Sequence, residues 1–242
     1  MFNRRLMLID EFDHTFGCYI TDYILSLVYA GMAIIILLIK QNTDRGQVIK
    51  FYNILVGMFV YFYSFIGGYV HQAYHDNSRA VEFNNIWNLG TTCGLIGILS
   101  LFFMGIFIRV QFTLKWLIFS TVFILSSAII PWVYVDSHIV FELLSFVSII
   151  VVIAACKLQI RSTKSVQQKK RLQNGFKLQL LGLVLLVLGA VIQLTGTGKQ
   201  NDAFNHNAIY HLMSAASYPL IALPIVLRFA RAEEESDEKK SD

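Results

Sequence analysis

Two short stretches hold most of the side chains able to do chemistry: GGYVHQAYHD at 67–76 and FNHNAIYHLMS at 204–214. Both place imidazoles beside long apolar runs, where a polar group costs free energy unless it finds a partner. His71 and His75 are four residues apart and share a helix face, and Ser64 lies seven residues before His71 on the same stripe. His206 and His211 are five apart, about 140° around a regular helix, so both face one centre only if His206 sits in an irregular first turn. Asn207 and His211 do share a face, continued by Ser214 and Tyr218. Neutral imidazoles are the usual ligands of zinc, and three protein ligands with one open position make a hydrolytic centre. Asp76 and Glu82 follow the first pair and supply carboxylates for proton transfer. Asp22 reads as a helix N-terminal acid or as an orienter of a histidine.

The elements that must position these residues follow from hydropathy. The chain has 242 residues, 55% of them hydrophobic and 15% charged, with a mean hydropathy of +0.56. That balance belongs to a membrane protein. Seven stretches are each near the ~20 residues that a helix needs to cross a bilayer core: Tyr19–Ile39, Phe51–Val70, Trp87–Ile108, Leu114–Val135, Ile139–Leu158, Phe176–Thr195 and Ala208–Phe229. The expectation is an all-α, polytopic membrane protein, a seven-transmembrane helix bundle over 19–230. Residues 1–18 mix acids and bases and do not resemble a signal peptide, so the first span is expected to be retained.

Basic residues set the expected orientation. Lys40, Arg45, Lys50, Arg109, Lys115, the run from Lys157 to Lys177, and Arg228 and Arg231 fall on one face, while the opposite loops hold Arg4, Arg5, Arg79 and Lys199. The N-terminus is therefore expected outside or in the lumen, and the C-terminus in the cytoplasm. The net charge of +4 is this loop asymmetry and points to no nucleic-acid partner. Residues 157–177 read as an ordinary positive-inside loop, with a lipid-headgroup contact as the other reading. The tail 231–242 is charged and expected to be disordered. Its end, Lys239-Lys240-Ser241-Asp242, matches the dilysine K-K-x-x address that coat proteins read at a cytoplasmic C-terminus, which implies the endoplasmic reticulum or Golgi. Cys18, Cys93 and Cys156 have no metal spacing and no disulfide pattern, and read as packing residues. LTGTGK at 194–199 lacks P-loop spacing.

Seven spans, a histidine near the end of the second, an acid soon after it and a histidine pair opening the seventh resemble the superfamily of alkaline ceramidases and progestin and adipoQ receptors. The F-N-H-N-x-x-Y-H run and the G-G-x-x-H before it are also similar to a set of small seven-helix membrane proteins with no established activity, an outlying branch of that group. The resemblance implies a zinc ion held by three histidines, activating water to cleave an amide or ester bond of a membrane lipid. Carried over by position, the zinc histidine of the second span falls on His71 and the second of the family's H-x-x-x-H on His211. The first of that pair falls on Asn207, beside His206, so the third ligand is His206 or His75. The family's acid falls at Glu82, with Asp76 nearer the helix end; its serine falls at Gly67, with Ser64 one turn deeper.

The expected function is thus a zinc-dependent transmembrane lipid hydrolase, with Asp76 or Glu82 as base. A receptor or scaffold of the same architecture and a proton or metal transporter are the other readings. No inverted repeat or midplane charge pair supports the transporter.

Overall fold

The computed structural model describes residues 14–74, 79–110, 113–133, 137–198, 201 and 204–231. His75, Asp76 and the dilysine end at Lys239 and Lys240 lie outside the described residues. Every regular element among the described residues is helical: α1 (Phe16–Leu38), α2 (Asp44–Ala73), α3 (Ala80–Phe107), α4 (Leu114–Ser127), α5 (Ile130–Val133), α6 (Ser137–Ser162), α7 (Val166–Thr195) and α8 (His206–Arg231). Seven helical stretches are long and apolar enough to cross a membrane: Phe16–Leu38, Asp44–Ala73, Val81–Phe107, Leu114–Val133, Leu143–Ser162, Val166–Thr195 and His206–Phe229.

Side-chain caps start several of these helices. The oxygens of Thr43, Thr113 and Ser165 accept from the backbone N–H groups of Gly46, Trp116 and Gln168, and Asn205 Oδ1 accepts from Ala208 N at 2.9 Å. α7 stops on Gly196, whose φ of 64° suits glycine alone without strain. The capped start of α7 revises one expectation. Most of the basic segment 157–177 is helix: α6 runs on to Ser162, and α7 begins at Val166, ten residues before the apolar run. Hydropathy marks only the apolar part of α7, whereas Ser165 and the helix formers after it set where the helix starts. α4 and α5 share one span that breaks at Ala128–Ile129: Pro131 has no N–H for the Ser127 carbonyl four residues back, and its ring crowds that oxygen. Pro219 and Pro224 lie within α8 without ending it.

Packing runs from helix to helix as a ring: α7 on α8, α8 on α1, α1 on α2, α2 on α3 and α3 on α6, with α6 touching α7 more lightly and α4 lying outside on α3. The main apolar core fills the end of the bundle where α2 begins and α8 ends, around Tyr52, Phe103, Phe107 and Ile225. At mid-height Tyr29 of α1 stacks on Tyr218 of α8 with ring centroids 4.0 Å apart, and the Tyr218 hydroxyl donates to Asn53 Oδ1 of α2 at 3.1 Å. Three helices are thereby locked together. A smaller core of Val70, Tyr74 and Phe83 closes the other end, where α1 and α8 begin and α2 ends.

Glycines set how closely the helices approach. A Cβ on Gly57 would lie 2.8 Å from Ala33 Cβ and 3.1 Å from the Tyr29 carbonyl oxygen; one on Gly182 would lie 2.9 Å from the Ser217 carbonyl oxygen. Backbone cannot yield as a side chain does, so Gly57→Ala and Gly182→Ala should each destabilise by about 1–3 kcal/mol. Gly31 has open space around it, and Gly31→Ala should be neutral or slightly stabilising. Thermal unfolding in detergent checks this ordering, and an equal effect at all three positions would contradict the packing described.

Candidate functional site

The end of the bundle where α1 and α8 begin brings three helices onto one carboxylate. Asp22 lies in the second turn of α1, only 5% exposed, and the first turn of that helix holds no acid. The helix-terminal reading of Asp22 is therefore corrected: α1 starts at Phe16, earlier than the apolar run suggests, so the aspartate sits inside the bundle.

His211, in the second turn of α8, places Nδ1 3.4 Å from Asp22 Oδ1; His71, in the last turn of α2, places Nε2 3.9 Å from Asp22 Oδ2. His71 is buried and His211 half-buried. Each carboxylate oxygen thus faces a different imidazole. The glycines of α2 make this possible: a Cβ on Gly67 would stand 3.4 Å from Asp22 Oδ2, and one on Gly68 would fall 2.9 Å from the Tyr23 ring and 3.2 Å from Asp22 Cβ. A side chain larger than hydrogen at Gly68 would push α1 and its aspartate away from α2.

Neighbouring groups fix the rings. Thr21 Oγ1 donates to the Gly17 carbonyl at 2.7 Å, with the Cys18 carbonyl at 2.9 Å, and lies 3.2 Å from His211 Nδ1. A hydroxyl has one proton, already given to the backbone, so Thr21 meets the ring as an acceptor. His211 then carries its proton on Nδ1, shared between Thr21 and Asp22, and keeps a lone pair on Nε2. The His71 ring packs edge-on to Trp87 at 6.4 Å, and its backbone carbonyl lies 3.0 Å from His14 Nδ1. Asn205, before α8, donates to Thr15 Oγ1 before α1 at 2.7 Å, tying the two helix starts together.

Cys18, fully buried, is one turn before Asp22 on the same face of α1. Its sulfur, an Asp22 oxygen and a His211 nitrogen all lie within 4.8 Å of one another. Sequence reading treated this cysteine as packing, although the four-residue spacing from Cys18 to Asp22 was there to see. What the spacing cannot tell is that α8 brings His211 to that face.

The other expected residues fall elsewhere. Glu82 forms a two-pronged pair with Arg79, Nε to Oε2 at 3.0 Å and Nη2 to Oε1 at 2.7 Å, and accepts from the Tyr74 hydroxyl at 2.7 Å. Arg79 also lies over the Tyr74 ring, 4.5 Å from its centroid. Burial, reinforced by the bond to Glu82, pushes the Tyr74 hydroxyl up to about 12, and the Glu82 bond raises the Arg79 guanidinium further. Glu82 is thus held by a surface pair, about half exposed. Ser64 is buried, with no hydrogen-bond partner for its Oγ among the described residues. His206 Nδ1 is likewise buried without a partner among the described residues, outside the Cys18–Asp22–His211 group. Asn207, its rival for one ligand position, turns Oδ1 to Gln193 Nε2 of α7 at 3.3 Å.

Residues 18–226 match DUF6962, a family of unknown function, and the chain belongs to that family. The match takes in Cys18, Asp22, His71 and His211. No curated protein and no solved structure matches the chain significantly.

If Asp22 couples the two rings, its effects will not add to theirs. Double-mutant cycles pairing Asp22→Asn with His211→Ala, and with His71→Ala, should give coupling energies of about 0.5–3 kcal/mol in unfolding experiments. Pairing Asp22→Asn with Tyr52→Phe, in the core at the far end, should be additive to within about 0.5 kcal/mol. Additivity in all three cycles would mean that the carboxylate holds neither ring.

Proposed function

We propose that this chain is a multi-pass membrane protein with a lumenal N-terminus, and that it hydrolyses an amide or ester bond of a membrane lipid with the help of zinc. The observation that carries the proposal is the buried convergence of thiol, carboxylate and imidazole from α1 and α8, with a second imidazole across the carboxylate.

The donor set suits zinc. Cysteine, carboxylate and histidine are its usual ligands, and tetrahedral ligands at ordinary zinc distances stand about 3.3–3.8 Å apart. Donor atoms already within 4.8 Å of one another need only small rotamer changes to close on an ion. Cys18 would give its thiolate, Asp22 one carboxylate oxygen and His211 the Nδ1 that faces it, its proton passing to Nε2 as the ion binds. A carboxylate has about four lone-pair sites, so Asp22 can give one oxygen to the ion and keep the other toward His71 Nε2. Three protein donors leave the fourth position open, as in catalytic rather than structural sites. Zinc bound there supplies the Lewis acidity that makes water nucleophilic near neutral pH.

The remaining work belongs to the side chains. His71 holds a proton at Nε2, where the Asp22 carboxylate 3.9 Å away offsets the charge the ring gains. Asp22 keeps His71 aimed, and Thr21, 3.2 Å from His211 Nδ1, holds that ring beside the carboxylate. In the resembling superfamily a serine stands at the position of Gly67; here the carboxylate of Asp22 fills the space beside that glycine. Asp22 lies six residues into α1, about 9 Å below its start by the helical rise.

Metal analysis of protein purified without chelator tests the reading, together with a hydrolysis screen over ceramides and glycerolipids. One zinc per chain is expected in the wild type, lost in Cys18→Ser, Asp22→Asn and His211→Ala. His71→Ala should keep the metal and lose about 10²–10⁴-fold in rate. Loss of metal from His71→Ala as well would indicate a closed, four-donor structural site, and wild-type protein without metal would overturn the proposal.

A further inference from the structure

Far from the histidines, where α7 begins and α8 ends, the two helices part to leave a groove of about 340 Å³. Its walls are apolar, with Leu172, Leu220, Leu223 and Leu227 among them, and its two charged residues are Arg171 and Arg228. No acid lines it among the described residues.

Arg228 is the unusual member. It is only 9% exposed; Nη1 donates to Gln159 Oε1 of α6 at 3.0 Å, while Nε and Nη2 are buried with no partner among the described residues. Among the described residues its polar partners are the Gln159 amide and the Cys156 thiol, both neutral groups. A guanidinium is always protonated, and a buried cation facing only neutral groups is costly unless an anion answers it. Arg228 is also one of the residues lining the leucine-walled groove, and exposed Arg171 stands at the same groove.

We infer that the groove between α7 and α8 binds one anionic phospholipid, its phosphate on Arg228 and Arg171 and an acyl chain along the leucines. Charge complementarity selects the anion, and the apolar walls select a lipid over a free ion, since inorganic phosphate would leave the leucines uncovered. The inference rests on the membrane reading of the seven helices and not on hydrolysis at the other end of the bundle. It also gives a use to the basic start of α7, which composition alone reads as loop charge.

Native mass spectrometry of the full chain in detergent, titrated with dioleoyl phosphatidic acid, dioleoyl phosphatidylcholine or inorganic phosphate alone, tests it. One phosphatidic acid should bind per chain, at least about tenfold more tightly than phosphatidylcholine. Arg171→Gln, at an exposed position, should weaken it about fivefold, and Arg228→Gln by more. Leu223→Trp, which fills the groove and keeps both charges, should abolish binding. Equal binding of the two lipids, or unchanged binding in both Arg171→Gln and Leu223→Trp, would overturn the inference. Competition by phosphate alone would show an anion site without a lipid. Binding seen only after deletion of 232–242 would make the acidic run Glu233–Glu235 the occupant.

Discussion

A carboxylate buried among apolar helices must have its charge answered by neighbours, and this requirement shapes one end of the bundle. Asp22 is almost wholly out of solvent, and α2 and α8 each bring an imidazole to one of its oxygens. Taking a carboxylate out of water costs several kcal/mol unless partners surround it, so the approach of these helices is part of what makes the residue tolerable. Gly67 and Gly68 admit α1 on one side, and the Asn205–Thr15 bond registers α8 on the other. The arrangement that lets the helices pack is the same one that gathers donor atoms able to hold a cation.

The two ends of the bundle answer charge differently. Around Asp22 the protein supplies two histidines, whose charge depends on protonation and which can exchange a proton for a metal. Around Arg228 it supplies a neutral amide and a thiol, with a leucine-walled groove alongside. The mid-height lock of Tyr29, Tyr218 and Asn53 separates the two regions and ties α1, α2 and α8 into one unit.

The architecture was largely legible in the amino-acid sequence because a membrane-crossing helix announces itself by length and hydropathy within one continuous segment. Where the reading fell short, helices ran past the apolar stretches: α7 reaches back to Val166 through Gln, Lys and Arg, and α1 starts at Phe16, three residues before its run. Spacing within a helix singled out His71 and His211, and the structure sets both beside Asp22. It could not single out Asp22 or Cys18 as their companions, because that depends on which faces of α1, α2 and α8 meet, a contact between segments up to 190 residues apart. Glu82 shows the converse. Its position suited a proton acceptor, yet the adjacent Arg79 and Tyr74 hold it in a local pair.

The central claim is that Cys18, Asp22 and His211 form one centre for zinc. X-ray absorption at the zinc edge of the purified protein tests it most directly. One sulfur scatterer at about 2.3 Å, with nitrogen and oxygen at about 2.0–2.2 Å, is predicted, and the sulfur should vanish in Cys18→Ser. A zinc shell without sulfur in the wild type, or a spectrum unchanged by Asp22→Asn and His211→Ala, would contradict the account.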